Sequence, residues 1–414
     1  MSATRSQSIP AATGHGAAVM AGFLGWTLDA FDYFLVVYCL TAIGHDFHVS
    51  DAAMALSLTL TLAFRPIGAF LFGLLADRYG RRLPLMMNLV FYSVVEVLSG
   101  LAPNYVTFML LRALFGIGMG GQWGVGASLA MEKVPPRIRG LLSGVLQQGY
   151  AAGNLLAGVA YFFLFDRIGW RPLFFLGGLP ALVAVFVWYR VKESEVWERT
   201  RSESWSHLFR AIVSHWKVLA FMVVLMTCFN FVSHGTQDMY PTFLKRQWNF
   251  SARTVAVMTG ISSIGAIIGG TLFGLLSDRM GRRRAMISAL LMALVVIPLW
   301  AFAPSMRLLV VGAFLMQFMV QGAWGVIPAH LSELSPDSVR GFLPGFGYQC
   351  GVLIAGTVAY IEAIFASRTS YSVAMASTAA TVLILAAIAS YFSRERRGQA
   401  FGVYGTVISF INAA

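Results

Sequence analysis

Twelve runs of about twenty apolar residues follow one another along the chain, with few charges inside them. A bilayer core about 30 Å thick takes about 20 helical residues to cross, so each run is long enough to span it as a helix. The runs cover residues 19–43, 53–76, 84–102, 105–131, 141–165, 170–191, 217–244, 254–276, 285–303, 306–331, 342–366 and 371–392. Strand-period alternation is absent, which argues against an outer-membrane barrel. Composition closes off the soluble alternatives. Only 12% of the 414 residues are charged and 57% are hydrophobic, whereas a soluble globular chain carries about 25% charged residues. Such a chain cannot cover a water-facing surface, and its apolar content is too high for disorder. The expected fold is an all-α membrane protein of twelve transmembrane helices. The first run is not a signal peptide, because it is too long and contains Asp29 and Asp32.

Lys and Arg set the expected orientation. With both termini cytoplasmic, the cytoplasmic segments hold 21 of the 30 basic residues and the outer loops seven. Arg65 and Arg112 fall within spans. This bias follows the positive-inside rule. The net charge of +12 is then a matter of topology and anionic lipid. No nucleic-acid partner is expected, since the basic residues are dispersed over many loops. A bacterial inner membrane is the expected location. Cys39, Cys228 and Cys350 lie within spans, far apart in sequence, and read as small packing residues rather than disulfides or metal ligands.

The chain is also written twice. GLLADRYGRR begins at Gly73 and GLLSDRMGRR at Gly274, an offset of 201. At the same offset Glu132 and Arg139-Gly140 match Glu333 and Arg340-Gly341, Trp123-Gly124-Val125 matches Trp324-Gly325-Val326, and Gln148 matches Gln349. A repeat in register without gaps means two structurally equivalent units. The expected organisation is a six-helix half over 1–191, a cytoplasmic linker over 192–216, a second six-helix half over 217–392 and a cytoplasmic tail over 393–414. The linker holds SESWSHLFRAIVSHW, which fits an amphipathic helix on the membrane surface. Parallel duplicated halves place a binding site at their interface near the bilayer midplane, opened alternately to each side. The repeated GxLaDrxGRr loop resembles the signature of the major facilitator superfamily, and Arg112 with Gly116, Gly118 and Gly120 resembles that superfamily's RxxxGxG element. The likeness runs over about residues 19–392.

The repeated loop has its own physics. Asp77 ends span two and is followed by Arg78, Arg81 and Arg82; Asp278 and Arg282 are the second copy. Such loops can latch by charge pairs onto Glu132, Glu333 and Arg340 and then release them. These residues are the candidate cytoplasmic gate, against the plainer reading of a positive-inside stop.

Charges inside spans cost about 2.5–3.5 kcal/mol each, so each needs a reason. Arg65 stands midway along span two, and its repeat partner is Ala266. A fixed guanidinium at the centre of a cavity suits a carboxylate, which it grips with two parallel hydrogen bonds. The alternative is a structural pair with Asp29 or Asp32. Glu96, Arg112 and Glu362 also fall within spans.

Span seven reads Asn230-Phe-Val-Ser233-His234-Gly-Thr236-Gln237-Asp238-Met-Tyr-Pro241-Thr242. At 100° per residue Asn230, Ser233, His234, Gln237 and Pro241 share one face, a polar stripe suited to water or ligand. Pro241 is placed to break the outer end of the helix. Asp238 follows His234 by one turn. The string resembles the NxxSHxTQDxxxT signature of Jen-type lactate/pyruvate:proton symporters within the sialate:proton symporter group, and every specified position matches. That resemblance implies uptake of short monocarboxylates with a proton, and ties these residues to substrate recognition.

In span one, Asp29 and Asp32 are one turn apart and fall, at the 201 offset, on Asn230 and Ser233; Tyr33 falls on His234. Asp29 and Asp32 are candidate proton carriers because burial penalises a carboxylate's charge. His234 with Asp238 is the rival, since imidazole titrates near neutral pH. The DxxD pair also resembles the aromatic acid:proton symporters, although Ala30 stands where those have Gly. Arg65, Asn230, His234, Gln237, Tyr33 and Gln349 form the expected substrate site. Tyr150 and Tyr348 are further cavity-lining candidates, and Trp26, Trp123 and Trp324 either shape its walls or simply pack. The expected function is proton-coupled symport of a small organic anion by a monomer embedded in lipid. A larger sugar acid or aromatic acid is the alternative substrate, and a non-transporting sensor a remote one. No P-loop or HExxH motif is present, so no cofactor, metal or enzymatic activity is expected.

Overall fold

The computed structural model describes residues 14–202 and 204–393. The tail after residue 393 and the basic residues Arg5, Arg394, Arg396 and Arg397 lie outside the described residues. Everything described is helix and connecting turn. This is what lipid imposes, because a span without water must satisfy its backbone hydrogen bonds internally. Spans one to four are His15–Asp46, Asp51–Tyr79, Arg82–Gly100 and Tyr105–Lys133. Span five is Arg139–Gln147 with Gly149–Ile168, and span six is Trp170–Phe175 with Pro180–Arg190. Two linker helices, Glu195–Thr200 and Trp205–Ser214, precede span seven, Trp216–Gln237 with Tyr240–Arg246. Spans eight to ten are Ala252–Met280, Arg282–Ala301 and Met306–Leu334. Span eleven is Leu343–Ala355 with Val358–Arg368, and span twelve is Tyr371–Phe392.

Among the described residues, eleven of these are long and apolar enough to cross a membrane by length and composition. The other is span four. Its glycines, Arg112 and Gln122 dilute its hydropathy, but they are buried against neighbouring helices rather than in lipid. The chain is a multi-pass membrane protein of two six-helix halves.

The duplication extends to local structure. Ser50 and Ser251, repeat mates, cap spans two and eight by accepting the Ala53 and Thr254 N–H groups at 3.2 Å each. Gly80 and Gly281, also mates, turn the loops that follow at φ 102° and 95°, a region open to glycine at little cost. Packing repeats as well. Span two lies along span four as span eight does along span ten, and span one meets span five as span seven meets span eleven. Between the halves, span five meets span eight and span two meets span eleven.

Four spans are interrupted where the apolar runs read as continuous. Span five changes helix at Gln148, span six at Gly177-Gly178 before Pro180, span seven at Asp238-Met239 and span eleven at Gly356-Thr357. For span seven the cause is plain. Pro241 has no N–H and its ring crowds the carbonyl of Gln237 four residues earlier, and the helix stops at Gln237. Pro241 then sits in the first turn of the next helix. It therefore does not continue the polar stripe of span seven, contrary to the ideal 100° reading.

Inside the first half, Arg112 of span four and Glu96 of span three form a buried ion pair at 2.6 Å. Arg112 also donates to Ser99 Oγ and lies against the rings of Phe108, Phe115 and Phe174. Arg112→Met would leave Glu96 buried without its counter-charge, a loss of about 3–5 kcal/mol. We expect a clearly lower melting midpoint for the purified protein in detergent. Adding Glu96→Gln should recover part of it, and an Arg112→Met protein as stable as the wild type would refute the pairing.

Candidate functional site

One face of the molecule carries the repeated loops and their arginines, here called the basic face. There the two halves are stitched together by two equivalent clamps. The Asp77 carboxylate accepts the backbone N–H groups of Gly341 (2.7 Å) and Phe342 (3.0 Å) just before span eleven. Its repeat mate Asp278 accepts those of Gly140 (2.8 Å) and Leu141 (3.0 Å) at the start of span five. Both carboxylates thus meet backbone N–H groups at the positive end of a helix. Arg81 bridges Asp77 (2.6 Å) and Glu132 (3.1 Å), with Arg340 reaching Glu132 at 3.8 Å. Arg282 bridges Asp278 (2.8 Å) and Glu333 (3.0 Å), with Arg139 reaching Glu333 at 3.4 Å. Arg78 takes no part: its guanidinium lies over the Tyr79 ring and donates to the Ser202 carbonyl. The gate expected from sequence included Arg78, which instead reaches out to the linker.

The linker adds a contact that sequence reasoning missed. Glu193 accepts the backbone N–H groups of Arg81 (2.9 Å) and Arg82 (3.1 Å), capping span three, and Trp197 Nε1 donates to the Asp77 carbonyl at 2.8 Å. A carboxylate just past the end of a span carries no distinctive spacing, so only the fold brings it to this loop.

Above the clamps the halves still touch. Ser143 Oγ donates to the Gly325 carbonyl at 2.7 Å, and Gly124 packs on Gly345. Gln349 Nε2 reaches the Gly120 carbonyl at 3.5 Å. Nearer the opposite face, no hydrogen bond or ion pair joins the two halves among the described residues. The halves are therefore tied at the basic face and untied at the other.

A central layer sits where these ties end. Arg65 is buried, and its Nε and Nη2 have no acceptor. It forms no ion pair with Asp29 or Asp32 among the described residues, so the structural pairing left open by the sequence is not made. Span four approaches it very closely. A Cβ on Gly120 would lie 2.8 Å from the Arg65 Cα, so only glycine fits there. The Arg65 guanidinium carbon stands 5.8 Å from the centre of the Tyr348 ring. Tyr348 in turn packs on Trp123 (4.6 Å) and on its repeat mate Trp324 (5.7 Å). On the other side Trp26 stacks with Tyr150 at 5.5 Å, and Phe34 meets Tyr150 at 5.2 Å. Tyr33 and Tyr150 lie within electrostatic reach of both Arg65 and Asp238, and both keep part of their surface accessible at mid-span depth. Trp26 Nε1, Trp324 Nε1 and Gln148 Nε2 are further buried donors without acceptors. Gln349 is buried with its Oε1 unpartnered.

Asp29 and Asp32 are buried, and none of their four carboxylate oxygens has a hydrogen-bond donor. Arg65 and Glu96 are the charges acting on Asp29, and Glu96, Asp29 and Arg112 those acting on Asp32. Asp32 and Glu96 occupy the space that Gly177 of span six leaves open.

Along span seven, His234 Nδ1 and Asp238 Oδ2 are 3.1 Å apart, and both side chains are partly exposed. Ser233 and Gln237 are half-buried. Gln237 Nε2 donates to Ser233 Oγ (3.1 Å) and to Gln317 of span ten (3.0 Å). Asn230 is buried and donates to its own helix at the Met226 carbonyl (2.7 Å). The stripe is thus open at Ser233 and His234, with Asp238 exposed just past the helix end, and committed to packing at Asn230. Gln317 was not singled out from sequence, because a lone amide in an apolar run carries no periodic signal.

Comparison with known proteins agrees with this architecture. Residues 22–237 match the Major Facilitator Superfamily, and 216–395 match the family described as sugar (and other) transporter. A probable 4-methylmuconolactone transporter of Cupriavidus pinatubonensis is 32% identical over 82% of this chain and 81% of its own. A carboxylic acid transporter protein homolog of Saccharomyces cerevisiae is 28% identical over 84% of this chain, which spans 61% of that protein. The sialic acid transporter NanX of Escherichia coli is 28% identical over 81% and 83%. Among solved structures, the proton:xylose symporter XylE bound to 6-bromo-6-deoxy-D-glucose aligns with a TM-score of 0.77 over 92% of this chain and 96% of its own, at 18% identity. The human organic anion transporter MFSD10 aligns at 0.78 over 92% and 100%, at 16% identity. With a family match over more than half its length, a duplicated twelve-helix frame and the repeated loop motif in place, this chain belongs to the Major Facilitator Superfamily of membrane transporters.

Proposed function

We propose that this transporter carries a small monocarboxylate, such as lactate or pyruvate, together with a proton into the cell. The observation that carries this reading is Arg65: a guanidinium buried mid-span whose Nε and Nη2 no protein group accepts. In low dielectric such a cation favours an anionic ligand, and its planar fork fits a carboxylate. Tyr33, His234, Gln237 and Gln349 then meet the remaining polar atoms, with Asn230 shaping the wall behind them. The basic face is cytoplasmic by its Lys and Arg excess, as are both termini. The arrangement is therefore open to the outside, with Asp77, Arg81, Glu132, Asp278, Arg282, Glu333 and Arg340 holding the cytoplasmic gate shut. Asp29, Asp32 or the His234–Asp238 pair takes the proton. An ionised carboxylate without partners resists enclosure, so closure of the outer side is favoured once proton and anion are both bound. The transporter acts as a monomer in the plasma membrane.

A second reading gives the same site a larger organic acid. The relatives named for 4-methylmuconolactone and sialic acid favour it. A competition panel against labelled lactate separates the two: inhibition by pyruvate but not by muconate or sialic acid supports the small substrate, and the reverse pattern supports the larger one.

Two outcomes test the mechanism. In proteoliposomes made acidic outside, the wild type should accumulate labelled lactate, and Arg65→Ala should lose about a hundredfold or more, the weight of charge-assisted hydrogen bonds at ~1.5–3 kcal/mol each. Vigorous uptake by a membrane-inserted Arg65→Ala protein would sink the anion role. For the gate, spin labels at positions 137 and 284 report the separation of the halves at the basic face. The double variant Asp77→Ala/Asp278→Ala should shift the population towards longer distances by about tenfold or more, and an unchanged distance distribution would count against the clamps.

A further inference from the structure

The outer segment of span eleven, Val358–Arg368, is largely exposed: Tyr360, Ile361, Ile364 and Phe365 all present their side chains outward. Val358 and Glu362, one turn apart, point inward and are 1% exposed each. Inward positions on such a helix normally hold aliphatic side chains. At Glu362 the chain places a carboxyl group instead, and neither of its oxygens has a hydrogen-bond partner. The carboxyl faces Gly235 of span seven. A Cβ there would lie 3.6 Å from Glu362 Oε1, beside Thr378 of span twelve and Val358.

The charged surroundings are one-sided. From span seven, Asp238 acts on Glu362, and Asp238 is itself bonded to His234 at 3.1 Å. Span twelve has no charged residue, only Tyr371 and Tyr391 near its ends. On its own helix, Tyr360 is exposed and Arg368 lies at the far end. An ionised Glu362 would be buried, unpaired and repelled by Asp238, and one added proton removes both costs. The repeat mate of Glu362 is Tyr161, so the duplication does not account for it. Spans seven and eleven both break near this carboxyl, at Asp238-Met239 and at Gly356-Thr357.

We propose that Glu362 is a proton-binding site of the second half, exchanging its proton with solvent. The transfer is a simple exchange. The Glu362 carboxylic acid gives its proton to a water molecule, which becomes hydronium, and Glu362 becomes the carboxylate; the reverse step reloads it. This deepens the proposed proton coupling and rests on it for its role in transport, but the binding of the proton is testable without any substrate.

The test uses the full-length protein purified in detergent. Proton uptake is followed in weakly buffered solution through a pH titration, and infrared difference spectra are recorded between its ends. Glu362→Gln should bind one proton fewer than the wild type and lose one protonated-carboxyl C=O band. Glu362→Asp, which keeps the acid should the amide fail to fold, should retain the band with a shifted midpoint. Identical proton uptake and bands in wild type and Glu362→Gln, or a Glu362→Asp protein that titrates as the wild type does, would overturn the proposal. Failure of the wild type to take up lactate would sink the small-monocarboxylate reading alone, because this titration uses no lactate.

Discussion

A charge enclosed by lipid-solvated helices cannot be left to water, so it must be neutralised within the fold or kept for a ligand. This protein sorts its buried charges into those two sets. Arg112 and Glu96, Arg81 with Asp77 and Glu132, and Arg282 with Asp278 and Glu333 are paired at hydrogen-bonding distances. Arg65, Asp29, Asp32 and Glu362 are not paired among the described residues, although all are buried. The first set holds helices and halves together. The second set is where chemistry is to be sought, and the proposed anion and proton sites are drawn from it.

The duplication divides along the same line. At the basic face the copies agree residue for residue: Asp77 and Asp278, Arg81 and Arg282, Glu132 and Glu333 make the same contacts in mirrored roles. Towards the centre they diverge: Arg65 faces Ala266 in the alignment, Asp29 and Asp32 face Asn230 and Ser233, Tyr33 faces His234, and Glu362 faces Tyr161. Two equal clamps suit a joint that binds both halves symmetrically. An asymmetric centre suits a single small ligand, which lacks the twofold symmetry of its container.

Much of this was legible beforehand. Apolar runs located the spans to within a few residues, because a bilayer sets a minimum helix length that few other constraints imitate. The 201-residue repeat exposed two halves, and the depth of Arg65 followed from counting residues along span two. Other features were not legible. The break in span seven removed Pro241 from its polar stripe, Asn230 turned to its own backbone, and Arg78 left the clamp for the linker. Glu193 and Gln317 carry no periodic or repeated signal, so their contacts with the span-three cap and with Gln237 depend on segments far apart in the chain.

By itself the sequence determined that the chain is a duplicated, twelve-span membrane protein with Arg65 and several acids inside its spans, since hydropathy, repeat and residue count are local or linear properties. Only the tertiary structure decided which of those charges are neutralised and which stand alone. Pairing depends on where helices cross and which atoms come within about 3 Å, and side-chain directions after each helix break set that geometry. The same is true of the side on which the halves are joined. Backbone N–H groups before span eleven and at the start of span five come to Asp77 and Asp278 only because the two halves lean together at the basic face.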